Sequence, residues 1–232
     1  GQHLRRGEVV QLVGSEVFQA QPSPIADQKR IIDYVSNNPE VRQFKVKTIV
    51  NRRENNNNIY YLAGVMSGTM MIGTQRLTSS NLTVWLAKMI DVDCLWLRSA
   101  GNFNGTLELN VNMRMEVNSI GDIYLFLGCY GYLALSGRET INDPAVTALL
   151  LHWNDQGFIL SYNSILNSDR SPLALAITSN DDIVIGYIVN LLTTGSGGQA
   201  VVSRVETFNI SDVSLWKLDV EGVIMSISAS NL

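Results

Sequence analysis

Leu107-Glu108-Leu109-Asn110-Val111-Asn112-Met113-Arg114-Met115 alternates apolar and polar residues without interruption. Successive side chains of a strand point to opposite faces, so this pattern puts Leu107, Leu109, Val111, Met113 and Met115 on one side of a half-buried strand. Upstream, Phe44-Lys45-Val46-Lys47-Thr48-Ile49-Val50 alternates in the same way. Downstream, turn residues from Asn118 to Asp122 lead into Ile123-Tyr124-Leu125-Phe126, and Asn180-Asp181-Asp182 separates Leu173-Ala174-Leu175-Ala176-Ile177 from the run Ile183 to Val189. Apolar runs bounded by such turn formers read as strands joined in hairpins, and the body is expected to be all-β.

A hairpin-like phrase recurs. Leu82-Thr83-Val84-Trp85 runs to Cys94-Leu95-Trp96-Leu97, Val146-Thr147-Ala148-Leu149 to Phe158-Ile159-Leu160, and Val213-Ser214-Leu215-Trp216 to Val223-Ile224-Met225. Each closes a block of roughly sixty residues, a weak internal repeat that predicts about a dozen strands. Three such blocks would suit a β-trefoil or β-prism. Trp153, however, is out of register with Trp85 and Trp216, and antiparallel folds produce similar hairpins by chance. The broader expectation is an antiparallel β-sandwich or jelly-roll-like barrel with Greek-key connections. Trp85 and Trp216 read as core pillars.

Residues 1–22 read as an extended lead-in or first strand. Ser23-Pro24 then offers a cap and a proline at the first helical position, with Ile25, Lys29, Ile32 and Val35 following, so one short helix is predicted near 24–36. Asn37-Asn38-Pro39 ends it. The expected organisation is a lead-in over 1–43 and a single β-rich domain over 44–232. The chain opens with Gly1 and shows no signal-peptide pattern, so it reads as a piece excised from something larger.

Composition narrows the function. Charged residues are 16% of the 232, against roughly 25% in an average soluble domain, and Asn, Ser, Thr and Gly supply much of the polar surface. Seventeen Lys and Arg against 21 Asp and Glu leave a net charge of −4, the wrong sign for a nucleic-acid footprint. No apolar run approaches the ~20 residues of a helical membrane span. Cys94 and Cys129 lie in apolar runs and read as buried thiols; a disulfide between them stays open.

No catalytic constellation, metal site or cofactor motif stands out, and the chain is not expected to be an enzyme. The only histidines are His3 and His152. Cys129, His152 and Asp155 could form a nucleophile, base and orienter, although a structural histidine is the stronger reading. Asp91 with Asp93, and Asp181 with Asp182, fall where turns are expected and suit backbone capping; the latter pair could also enter a calcium loop. Gly195-Ser196-Gly197-Gly198 lacks the Lys-Ser or Lys-Thr of a phosphate cradle and reads as a flexible loop.

Binding is the better expectation. Asn51 to Asn58 reads as the most polar loop, which makes Asn55, Asn56 and Asn57 candidate receptor contacts. The turns at Asn104-Gly105 and Asn154-Asp155-Gln156-Gly157 add Asn104 and Asp155. Trp96, with Tyr130 and Tyr132, is expected nearer the surface, where an aromatic face could stack on a sugar. Asn81-Leu82-Thr83, Asn104-Gly105-Thr106 and Asn209-Ile210-Ser211 are sequons, so Asn81, Asn104 and Asn209 would be glycan acceptors in a secreted chain.

Sparse charge, Asn, Ser, Thr and Gly-rich turns, many short strands and an extended lead-in together resemble the head domains of attachment fibres and spikes of non-enveloped viruses or bacteriophages. The resemblance is one of texture over residues 44–232 and carries no motif, so it assigns no role to any residue. It implies a virion-surface projection that recognises a host receptor, a glycan or a protein, and works as a homo-oligomer, a trimer or dimer; charge and run length add the expectation of no nucleic acid and no membrane insertion. The 46% of hydrophobic residues would leave apolar surface for an oligomer to cover. The alternative is a lectin-like module of trefoil or prism type.

Overall fold

The computed structural model describes residues 10–12, 41–54, 57–103, 112–129, 132–135, 140–142, 146–166, 168–191, 200–209, 211, 214–221 and 227–229. All regular structure among them is β. The helix expected near 24–36 lies outside the described residues.

Three antiparallel sheets make up the body. The first has six strands in the order β2 (Val41–Glu54), β3 (Asn57–Ile72), β4 (Gln75–Ile90), β5 (Asp93–Phe103), β8 (Tyr132–Leu135) and β9 (Thr140–Asn142). The second runs β11 (Ile159–Leu166), β10 (Val146–Trp153), β7 (Ile123–Gly128) and β6 (Met113–Val117). The third is a plain meander of β12 (Ser168–Ile177), β13 (Ile183–Leu191), β14 (Ala200–Phe208) and β15 (Ser214–Glu221). In addition β1 (Val10–Leu12) pairs in parallel with β16 (Ile227–Ala229), which lies against β12 and β13. The first strand of the lead-in therefore joins the last strand of the body.

The second sheet lies between the other two. Leu125 and Leu127 of β7 with Leu149, Leu151 and Trp153 of β10 pack on Tyr61, Ala63 and Val65 of β3, Val84 and Leu86 of β4 and Trp96 of β5. The alternate residues of the same two strands, Tyr124, Phe126, Ala148 and Leu150, pack on Leu175, Ile183, Ile185, Tyr187 and Phe208 of the third sheet. A strand buried on both faces must be apolar at consecutive positions, which is why Ile123 to Leu127 and Ala148 to Leu151 read as unbroken runs. Sheets arranged as a prism would each turn only one face inward. The described sheets are stacked instead, in the manner of a sandwich with an added layer.

The outer face of the six-stranded sheet is covered by its own chain. Strands β3 and β4 have 16 residues each, a reach of about 50 Å if straight. Yet a Cβ built on Gly73, in the hairpin tip, would lie 3.9 Å from Cβ of Cys94, near the opposite end of the sheet. The hairpin doubles back at a register break, where Met66 pairs with Thr83 and Gly68 with Ser79. Gly68 adopts φ 94° there, a conformation that disfavours a side chain. Met70, Ile72 and Leu77 of the folded tip thereby meet Tyr60, Leu62, Trp85, Ala87 and Leu97.

Two strands run further than the sequence pattern suggests. The first arm of the third hairpin is longer than expected, since β15 continues past Trp216 to Glu221 in pairing with β14, and the second arm Val223-Ile224-Met225 lies outside the described residues. The "loop" from Asn51 to Asn58 is a hairpin, with β2 reaching Glu54 and β3 starting at Asn57.

Candidate functional site

Six hairpin turns gather at one end of the stack. They connect β2–β3, β4–β5, β6–β7, β10–β11, β12–β13 and β14–β15, and the strand ends beside them pair as Ile59 with Ile90, Ile123 with Trp153 and Ile183 with Phe208. Local chemistry shapes four of these turns. Asp91 and Asp181 take positive φ values of 51° and 61°, a conformation Asp tolerates better than most residues. Asn154 Oδ1 accepts the N–H groups of Gln156 and Phe158, each at 3.0 Å. Asn118 Oδ1 accepts those of Ile120 and Asp122, the second at 2.8 Å. These side-chain bonds stand in for the ladder where it stops.

Polar contacts pin the turns of different sheets together. From β2, Arg52 donates to the carbonyl oxygens of Asn118, at 2.7 Å, and Ser119 in the β6–β7 turn. On the other side of that turn, the Asp181 carboxylate accepts the Ser119 N–H at 2.9 Å and its hydroxyl. The β6–β7 turn is thus tied to both neighbouring sheets. Asp155 adds a third pin: its Oδ1 receives Lys88 Nζ and, at 3.2 Å, the Tyr61 hydroxyl, while its backbone oxygen receives Trp96 Nε1 at 3.0 Å. The Lys88 ammonium also lies 5.3 Å from the centre of the Tyr61 ring, a cation–π contact. Gly157 completes the fit, since a Cβ there would come within 2.9 Å of Arg98 Cγ and 3.0 Å of the Trp96 ring.

The surface so held is apolar in part. Val92, Leu95, Ile120, Phe158, Leu160 and Leu215 are exposed at or beside these turns, and Met71 is exposed in the folded-back β3–β4 tip that reaches Cys94; among the described residues only Leu218 is a comparable large hydrophobic elsewhere. Ile120 and Phe158 project furthest, at 63% and 60% exposure. The Arg98 guanidinium lies over the Phe158 ring at 5.6 Å.

The sequence candidates fare unevenly. Asn57 is exposed at the start of β3, and Asp155 is in the turn end as a pin; Asn55, Asn56 and Asn104 lie outside the described residues. Trp96 is corrected from surface to core, because it points between the sheets and spends its only donor on Asp155. Trp85 is a core pillar as expected. Asn81 is exposed at the fold of the β3–β4 hairpin, and Asn209 is half-buried with its Oδ1 accepting the Ser211 N–H at 3.0 Å. The triad of Cys129, His152 and Asp155 does not form: His152 bonds Asp122 and Ser161. Cys94 and Cys129 are free thiols, pushed by burial up to about 11 and about 12.

Lys88, Arg52, Ile120 and Phe158 were missed. A lone charge inside Trp85-Leu86-Ala87-Lys88-Met89-Ile90, and an apolar residue inside the Asn118 to Asp122 turn, were the available signals. No group of three His, Cys, Asp or Glu residues that could hold a metal is found among the described residues, and no helix there is long and apolar enough to cross a membrane. No family model matches the chain, and no curated protein matches it.

Proposed function

We propose that this chain is the receptor-binding head of a viral or phage fibre or spike, displayed on the virion surface and contacting a host-cell receptor through its turn end. One observation supports the reading above the others: at one end of the three stacked sheets the described turns are pinned to one another by Arg52, Asp155 and Asp181, and exposed apolar side chains stand at or beside them. Exposed apolar side chains grouped together mark interaction surfaces, and pre-ordered turns lose less entropy on binding. The head works as a homotrimer or homodimer, with the turn end directed away from the shaft. Nucleic acid and membrane insertion play no part in this scheme. The lectin-like alternative loses one of its candidate sugar platforms, because Trp96 is buried.

The test is to measure the mass of the full chain in solution by sedimentation equilibrium and the binding of fluorescently labelled chain to a panel of animal, plant and bacterial cells. A stable oligomer that labels a restricted set of cells is the expected result. A monomer at high concentration that labels none would refute it.

A further inference from the structure

On the face of the central sheet that meets the third sheet, Tyr124, His152 and Ser161 are cross-strand neighbours on β7, β10 and β11. His152 is buried, its ring stacked on Tyr124 with centroids 4.2 Å apart. Its Nε2 lies 3.2 Å from Asp122 Oδ2, and its Nδ1 lies 3.2 Å from Ser161 Oγ.

In the tautomer with its proton on Nε2, His152 donates to the Asp122 carboxylate and leaves the Nδ1 lone pair to accept from the Ser161 hydroxyl. Asp122 is itself held, since its N–H and carbonyl bond Asn118 at 2.8 and 2.9 Å. Ser161, by contrast, is half-buried on an edge strand. The pairing jumps from Ser161 with His152 to Ile159 with Trp153, so Leu160 forms a bulge immediately before it. Bulges re-aim neighbouring side chains and recur beside active sites.

We infer that Ser161 is a nucleophile, with His152 as its general base and Asp122 as the positioning residue, and that it hydrolyses carboxylic esters presented at the edge strand β11. Ser161 Oγ attacks the ester carbonyl carbon as its proton passes to His152 Nδ1; the tetrahedral adduct collapses, and the leaving alkoxide takes that proton to depart as the alcohol. Water then attacks the acyl-serine, gives a proton to Nδ1, and Ser161 recovers it as the carboxylic acid leaves. Ester and water become acid and alcohol, with no other reactant. This activity is additional to attachment and independent of it.

The experiment treats the full chain with a fluorophosphonate probe, maps the adduct by tandem mass spectrometry, and follows p-nitrophenyl acetate hydrolysis. Phosphonylation at Ser161 is expected, with label and hydrolysis abolished in Ser161→Ala. Asp122→Asn, which keeps the shape but not the tautomer, should slow labelling on the order of 10²-fold or more. Circular dichroism confirms that each variant remains β-structured. A folded wild-type chain without label at Ser161, or an undiminished labelling rate in folded Asp122→Asn, overturns the inference.

Discussion

The central sheet and the β3–β4 hairpin are both buried on two faces, but by different means. Strands β7 and β10 are covered by two other sheets, through side chains such as Trp153 and Phe126 whose contacts are non-directional. The hairpin covers itself by doubling back at Gly68. The turn end differs from both, because a few directional bonds hold it. Burial sets which layers meet, and polar pins set where their turns point.

That contrast is most sharply broken by Trp153→Ala, which empties a fully buried site between the first two sheets. A cost of about 3–5 kcal/mol is expected in urea unfolding. Next, Asp155→Ala strands Lys88, which is 8% exposed, and should cost roughly 2–3 kcal/mol, moderated because Asp155 is partly hydrated. Lys88→Met should cost less, since Asp155 can turn to water.

Glu116 on β6 sharpens the comparison through pH. Burial lifts its carboxyl from 4.5 to about 7, so the folded chain holds the proton more tightly than the unfolded one. The stabilisation is complete below pH 4.5 and is lost as pH rises through 7. Glu116→Gln should therefore raise stability at pH 8 by something on the order of 2 kcal/mol and change little at pH 4, in paired unfolding curves. Asp181→Ala is the mildest change, about 1 kcal/mol or less. Its readout is faster amide exchange at Ser119 with Trp153 unaffected.

The layers were legible and the pins were not. Continuous apolar runs at Ile123 to Leu127 and Ala148 to Leu151 mark doubly buried strands, and alternation at Phe44 to Val50 marks a half-buried one. The fold-back at Gly68 left no such mark, because register breaks depend on the partner strand. The Asp155 turn was recognised as a turn, but its bonds to Lys88, Tyr61 and Trp96 join residues at least 59 positions apart. His152 was noticed with the wrong partners for the same reason. Trp96 was misplaced because alternation alone does not say which face of a doubly covered sheet is wet.

The turn end as a contact surface is tested most directly by one pair of variants, Phe158→Asp within it and Leu218→Asp outside it, compared for binding to cells that the wild-type chain labels. The account predicts at least a tenfold loss for Phe158→Asp, as expected of a hot-spot side chain worth about 1.4 kcal/mol or more, and no change for Leu218→Asp. Equal binding by both variants, or loss confined to Leu218→Asp, would contradict it.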